Sequence, residues 1–218
     1  MKVLALGALC LALSAIPATA GTVVVGQPAT GSNSWPFNSY TGLYQQVYNS
    51  GQFSVPITIT GLDFYNANKG LAFTFSGNFT FSLSTNSADW DNLTSNYSNN
   101  LGTDNTQVFS GTIAQDSTGL LQIDLSTPFT YNPANGNLLL TVDAPGGIGN
   151  AYENNISSGY MGRVYNSSGN GGPNVDRSGL VTGFDYGDVS ATPEPSSLLL
   201  LGTGLLGILG MARRKIGL

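Results

Sequence analysis

The chain must rely on carboxylates and aromatic rings for chemistry, because it has no histidine and a single cysteine, Cys10. This composition excludes a Ser-His-Asp triad, a Cys-His pair and a zinc site built from imidazole or thiolate ligands. Two carboxylates that face each other can still hydrolyse a glycosidic bond. The candidates are Glu153 with Asp63 or Asp143, and nothing in their spacing selects either pair.

Two short acidic stretches contain the oxygen ligands that Ca²⁺ prefers: Asp89-Trp90-Asp91-Asn92 and Asp104-Asn105. Neither stretch has the regular ligand spacing of a DxDxDG calcium loop. Aspartate and asparagine are also common in turns, so ordinary turns are the favoured interpretation. No cofactor or metal site is therefore assigned, and Asp89 and Asp91 are kept as the Ca²⁺ candidates.

Aromatic side chains form the third candidate set, since exposed tyrosine and tryptophan rings can stack on sugar faces. Trp35, Trp90 and Tyr97 are the candidate glycan contacts, because they lie beside polar residues or turn formers. Other tyrosines in similar surroundings are Tyr40, Tyr131, Tyr152 and Tyr160. The alternative is packing of half-buried rings on a small β domain. The phenylalanines alternate with polar residues and are expected in the core: Phe64, Phe73, Phe75, Phe79 and Phe81.

The elements that must position these residues are short β-strands. Apolar residues alternate with polar ones in several segments, such as Phe79, Phe81 and Leu83 or Leu138, Leu140 and Val142. Alternation with period two is typical of strands that bury one face. Thr60-Gly61 interrupts one segment and predicts a kink or bulge. The pattern predicts an all-β fold, an antiparallel β-sandwich that is jelly-roll-like.

Three weaker patterns complete the secondary-structure prediction. Residues 71–75 alternate like a strand, and residues 87–97 are the main exception that could form a helix. Residues 166–178 are rich in glycine, asparagine and serine, which predicts a long loop.

The N-terminal segment, residues 1–20, has the features of a secretory signal. Lys2 precedes a short apolar stretch, and small residues Ala18 and Ala20 occupy the −3 and −1 positions of a cleavage site. The segment therefore predicts export and cleavage after Ala20.

The C-terminal segment, residues 193–218, combines a motif, an apolar run and a basic end. Pro193, Glu194 and Pro195 precede an uncharged run at 196–212, and Arg213, Arg214 and Lys215 follow it. A helix over that run would be about 25 Å long, close to the ~30 Å hydrocarbon core of a bilayer. Cations next to such a helix resist translocation. Residues 196–218 therefore predict a single membrane-spanning helix with a cytoplasmic basic tail.

This arrangement resembles the PEP-CTERM sorting signal of Gram-negative bacteria. The resemblance covers about the last tenth of the chain and rests on Pro193, Glu194, Pro195, Arg213, Arg214 and Lys215. It implies that an exosortase, a membrane protease-transferase, recognises the tail and processes it near the Pro-Glu-Pro motif. It also implies an association with exopolysaccharide or biofilm, and residence in the inner membrane before release to the cell surface or medium.

The net charge of residues 21–192 limits the classes of molecule that this region can bind. Residues 21–192 contain three cations, Lys69, Arg163 and Arg177, against eleven acids, so their net charge is −8. Nucleic acid and anionic lipid surfaces both require cations, and they are excluded as partners.

The predicted organisation is a signal peptide at 1–20, a β-sandwich body at 21–188, a stalk with the Pro-Glu-Pro motif at 189–195 and the sorting helix at 196–218. The predicted function is a non-enzymatic component of the cell envelope or extracellular matrix. Two alternatives stay open: a carbohydrate-binding module, which could depend on Ca²⁺, and a glycoside hydrolase with two carboxylates.

Overall fold

The structure is a computed structural model that describes residues 20–27, 31–33, 35–37, 41–66, 70–146, 152–155, 159–166 and 173–187. Within these ranges the chain is almost entirely β, and three short 3-10 helices are the helical elements: Ser50–Gln52, Tyr97–Asn100 and Pro133–Asn135. None of the described helices has the length and apolar character that a membrane crossing requires. The predicted helix at 196–218 lies outside the described residues.

Two six-stranded sheets organise the molecule. From edge to edge, the first sheet contains β1 (Gly21–Val25), β15 (Thr182–Tyr186), β4 (Ile57–Tyr65), β9 (Leu120–Tyr131), β8 (Ala114–Gln115) and β5 (Phe73–Thr74). The second contains β13 (Pro173–Asp176), β12 (Met161–Asn166), β3 (Thr41–Tyr48), β10 (Asn137–Pro145), β6 (Phe79–Asn86) and β7 (Thr106–Gly111). A small third sheet joins β14 (Gly179–Leu180), β11 (Tyr152–Asn155) and β2 (Gly31–Asn33). Neighbouring strands are antiparallel throughout.

Both large sheets contribute their apolar residues to one core. Phe37 shows this directly, because its ring lies 4.9 Å from that of Phe64 in the first sheet and 6.5 Å from that of Phe81 in the second. The cluster also contains Leu62, Leu83 and many other fully buried side chains from the two sheets. We refer to the face of each sheet that contributes to this cluster as its inner face and to the opposite face as its outer face.

The all-β prediction is confirmed, together with the kink at Thr60-Gly61, where the pairing of β4 with β9 shifts register between Ile59 and Gly61. A jelly-roll-like sandwich, which is a finer description of the strand arrangement, stays a prediction. So do the domain boundaries.

Three local predictions were wrong. Residues 71–75 form only the two-residue strand β5, and Leu71 is 59% exposed, because it lies before the strand begins. Residues 87–97 contain no α-helix; the one helical turn begins at Tyr97. Within 166–178, residues 173–176 form β13, since they pair with the exposed edge of β12.

Candidate functional site

The three predicted glycan contacts are all partly buried. Trp35 packs against the core and lies 4.9 Å from the ring of Tyr165. Trp90 and Tyr97 pack together on a second apolar cluster, formed on the outer face of the second sheet by Val47, Leu93, Leu139 and Val164. The structure therefore separates Trp35 from the other two rings. Their role in glycan binding stays a prediction.

The other tyrosines that the sequence placed near polar residues are either buried, partly buried or outside the described residues. Tyr131 is completely buried, because it lies in β9 and donates a hydrogen bond to the backbone oxygen of Gly136. This burial raises its pKa above the ordinary range. Tyr160 is half-buried against the core. Tyr40 and the side chain of Tyr152 lie outside the described residues.

The Ca²⁺ candidates do not converge in the described part of the chain. Asp91 forms an ion pair with Arg177, with 3.1 Å between the carboxylate and guanidinium. Asp89 is exposed at a turn, and its backbone oxygen accepts a hydrogen bond from the backbone N–H of Asn92. Asp104 instead accepts the backbone N–H of Thr85 at 2.7 Å. Among the described residues, no three acidic, histidine or cysteine side chains form a group that could hold a metal.

The predicted catalytic carboxylates lie on different surfaces. Asp63 alternates in β4 with the buried Leu62 and Phe64, so it lies on the outer face of the first sheet. Asp143 alternates in β10 with Val142 and Ala144, so it lies on the outer face of the second sheet. The two faces point away from each other, so Asp63 and Asp143 are separate alternatives as the partner of Glu153, and either pairing stays a prediction. The side chain of Glu153, which follows Tyr152 in β11, lies outside the described set.

Asp63 has different carboxylate neighbours, which the spacing in sequence did not reveal. Strand β4 lies between β15 and β9, and this places Asp185 and Asp124 on either side of Gly61. Asp63 pairs with Gly183 one step further along the sheet. We call Asp63, Asp124 and Asp185 the carboxylate cluster.

The environment of Asp63 shifts its protonation. The residue is 7% exposed, and its Oδ1 has no hydrogen-bond partner among the described residues. Burial, followed by repulsion from Asp185 and then Asp124, raises the pKa of Asp63 from 3.8 to about 6. The carboxylate of Asp185, unlike Oδ1 of Asp63, has hydrogen-bond donors beside it, because it accepts hydrogen bonds from Thr22 and from Nε2 of Gln122. Burial and repulsion therefore favour the protonated form of Asp63 up to a higher pH than is usual for an aspartate.

The outer face of the second sheet carries a group of hydrogen-bonded neutral amides, and residues 87–105 cross this face. Asn100 lies at the centre of this region. Its Nδ2 donates to Oε1 of Gln45 and to the backbone oxygen of Thr94, and its Oδ1 accepts the backbone N–H of Thr94, all at 2.9 Å. Asn86 donates to the backbone oxygen of Asn100 at 2.8 Å. We call Gln45, Asn86 and Asn100 the amide network.

A concavity of about 430 Å³ lies beside the amide network. Its walls are the C-terminal end of β6, the segment from Asn99 to Asp104 and the turn at Asn135. Two glycines allow its walls to approach β6. A Cβ on Gly102 would lie 2.0 Å from the backbone oxygen of Thr85, and one on Gly136 would lie 2.5 Å from that of Asn86. Sequence reasoning missed this concavity, although one residue that it singled out as a possible Ca²⁺ ligand, Asp104, is part of the lining.

One buried ion pair has a structural role. Arg163 is 7% exposed and binds Asp176 through two hydrogen bonds of 2.9 Å, while its guanidinium lies 4.5 Å from the ring centroid of Tyr165. Arg163 and Asp176 are cross-strand neighbours in β12 and β13. The pair therefore fastens the edge strand β13 to the second sheet.

The sorting and cleavage residues lie almost entirely outside the described residues: Ala18, Pro193, Glu194, Pro195, Arg213, Arg214 and Lys215. Ala20 is described; it is exposed, immediately precedes β1 and lies close to Gly187 at the end of the described body. Both ends of the body thus meet at one corner.

Comparison with known families identifies the tail. Residues 191–215 match the family described as PEP-CTERM protein-sorting motif. The motif indicates an exported protein that is processed by exosortase, a membrane enzyme, and is consistent with transient anchoring before secretion. No match was found among curated proteins.

Proposed function

We propose that the chain is a non-enzymatic component of the envelope or extracellular matrix, delivered by exosortase and associated there with exopolysaccharide. The match of residues 191–215 to the sorting motif is the observation that carries this proposal. The signal peptide is removed after Ala20, and the helix at 196–218 holds the precursor in the inner membrane. Exosortase then processes the chain near Pro193, Glu194 and Pro195.

The position of the body's ends supports this route. Ala20 and Gly187 are neighbours, so the signal peptide and the sorting tail leave the body at the same corner. Only the segment 188–192 separates Gly187 from Pro193, and a chain of that length reaches about 20 Å when fully extended. The body of the precursor would therefore stay close to the membrane surface where exosortase acts.

The body, a jelly-roll-like sandwich in this proposal, acts as a stable binding surface. The acidic surface keeps the released protein soluble, because its net charge is far from zero.

The sorting step is tested with the full chain expressed in a host that has exosortase. Wild-type protein should be released without Leu218, whereas Glu194→Ala and the deletion of residues 213–215 should leave precursor in the inner membrane. Arg177→Ala is the control, because it removes an exposed cation of the body instead. Intact mass and membrane fractionation are measured. Normal processing of both tail variants would refute the proposal.

The non-enzymatic role has a separate test. Purified full chain is incubated with the secreted polysaccharide of its own host, and new reducing ends are measured. No increase is expected. Turnover that disappears in Glu153→Gln or Asp63→Asn would show a glycoside hydrolase and overturn this part of the proposal.

A further inference from the structure

The concavity beside the amide network has the character of a preformed binding site. Its volume of about 430 Å³ falls in the range of about 300–1,000 Å³ typical of small-molecule sites. The close approaches of Gly102 and Gly136 to the backbone of β6 fix two of its walls. The hydrogen bonds of Asn86 and Asn100 fix its base. Because these contacts involve backbone and buried side chains, the concavity keeps its shape without a ligand.

Several polar groups at the rim are not used by the fold. The side chains of Ser87, Asn99, Thr103 and Asn135 are exposed, and none of them forms a hydrogen bond with another described residue. Each amide or hydroxyl can both donate and accept. By contrast, the nitrogen and the oxygen of the Asn86 and Asn100 amides each already form a hydrogen bond within the protein. The fold thus separates structural amides at the base from uncommitted polar groups at the rim.

The charge of the lining limits the ligand. Among the described residues that line the concavity none is lysine or arginine, so nothing in this lining would compensate an anionic ligand. Asp104 is the single carboxylate of the same described lining, and one of its oxygens already accepts the backbone N–H of Thr85. A divalent cation usually requires several oxygen ligands with charge, which this lining does not supply. A neutral ligand with many hydroxyl groups fits best, because each hydroxyl matches an amide or hydroxyl that donates and accepts.

We infer that the concavity binds a neutral sugar unit of a polysaccharide, held by Asn99, Thr103 and Asn135. This inference deepens the proposed association with exopolysaccharide and rests on it for biological context. Leu101 is 39% exposed in the same lining and offers a small apolar surface to the C–H face of a sugar ring. The described lining contains no aromatic ring, since Trp90 and Tyr97 pack on the neighbouring apolar cluster. Binding therefore depends on hydrogen bonds and is weak for a single unit.

The test titrates isotopically labelled full chain with glucose, galactose, mannose and N-acetylglucosamine, and follows amide resonances by NMR. The detergent must be zwitterionic, because a glycoside detergent would compete. At least one sugar should shift the side-chain resonances of Asn99 and Asn135. The double substitution Asn99→Ala with Asn135→Ala should weaken that binding about tenfold or more, which corresponds to loss of about two hydrogen bonds.

Asn92→Ala is the matched control, because Asn92 is an exposed amide of the same segment outside the concavity. It should change the dissociation constant less than about twofold, as expected for a residue without ligand contacts. Absence of shifts with all four sugars would overturn the inference, and so would equal binding by the double variant. A response of these amides to CaCl2 alone would also overturn it and identify a cation site. None of these outcomes depends on sorting, so a failure here is distinct from a failure of exosortase processing.

Discussion

The outer face of the first sheet carries the carboxylate cluster, and the outer face of the second carries the amide network. Asp63 is buried among other acids, and its Oδ1 has no partner in the described part of the chain, whereas Asn100 is buried with both its donor and its acceptor engaged. A carboxylate only accepts hydrogen bonds, so neighbouring carboxylates cannot satisfy it. An amide both donates and accepts, so amides can satisfy one another.

This difference explains where a binding site can form. Residues 87–105 cover the second sheet because they place apolar side chains such as Leu93 on Val47 and Leu139, and they connect their polar groups through the amide network. Because residues 87–105 stand above the sheet, several of them form walls of the concavity beside β6. The carboxylate cluster lies on the outer face of the first sheet, and the raised pKa of Asp63 predicts that stability depends on pH.

Removing the central amide should have the largest effect. Asn100→Ala leaves Oε1 of Gln45 and the backbone N–H of Thr94 without their partner, and should lower the free energy of unfolding by about 4 kcal/mol. Urea denaturation of the full chain measures this loss. Asn99→Ala, at the adjacent exposed position, is the control and should change stability by less than about 0.5 kcal/mol. Equal effects would mean that the amide network does not stabilise the fold.

Replacement of the buried carboxylate Asp63 by a neutral side chain should raise the free energy of unfolding at neutral pH, in contrast to Asn100→Ala. The pKa of Asp63 is raised in the folded state, so folded protein binds the proton more tightly than unfolded protein, and stability falls as pH rises from about 4 to about 6. A rise from 3.8 to about 6 corresponds to about 3 kcal/mol at higher pH. Asp63→Asn should recover up to that amount at about pH 8 and nothing below about pH 4.

The measurement is the difference between wild-type and Asp63→Asn unfolding free energies across this pH range, since carboxylates that do not interact with Asp63 contribute equally to both. Asp143→Asn, on the outer face of the other sheet, is the control, because it removes a carboxylate that does not belong to the carboxylate cluster. A variant that is less stable than wild type at high pH would refute the assignment of Asp63 as an unfavourable buried charge.

Substitutions of two valines test the difference between the covered outer face of the second sheet and the uncovered outer face of the first. Val164 is fully buried on the outer face of the second sheet, and Val24 is 48% exposed on that of the first. Val164→Ala should cost about 2 kcal/mol, because two buried methyl groups leave a cavity. Val24→Ala should cost less than about 0.5 kcal/mol. Thermal or urea unfolding of the two variants would show similar losses only if residues 87–105 did not cover the second sheet.

The smallest expected effect is the difference between substitutions of the two acidic neighbours of Asp63, Asp185 and Asp124. Asp185 raises the pKa of Asp63 more than Asp124 does. Each single substitution to asparagine should therefore move the midpoint of the pH-dependent stability change to lower pH, and Asp185→Asn should move it further. The gain in stability at neutral pH should stay below about 1 kcal/mol for Asp124→Asn, since this side chain is exposed. The reverse order would contradict the geometry of the carboxylate cluster.

Much of the fold could be predicted from local patterns. Phe79, Phe81 and Leu83 alternate with polar residues and are all completely buried in β6, as expected for a strand with one inner face. Phe73 is a partial exception, because it is only partly buried in a two-residue strand near the sheet edge. The strand β13 could not be foreseen, since a segment rich in glycine and asparagine becomes a strand only when an edge such as β12 is available to pair with it.

Local patterns along the chain are enough to predict the all-β class of the body and to recognise the sorting motif of its tail. Alternation of apolar and polar residues is visible within a single strand. The motif at 191–215 is contiguous, so the order of its residues is enough to recognise it. The contacts of Asp63 with Asp124 and Asp185, and of Asn86 with Asn100 beside a concavity, arise only when the chain folds. These residues are far apart along the chain, and only the pairing of β4 with β9 and β15, or the crossing of residues 87–105 over the second sheet, brings their side chains within interaction distance.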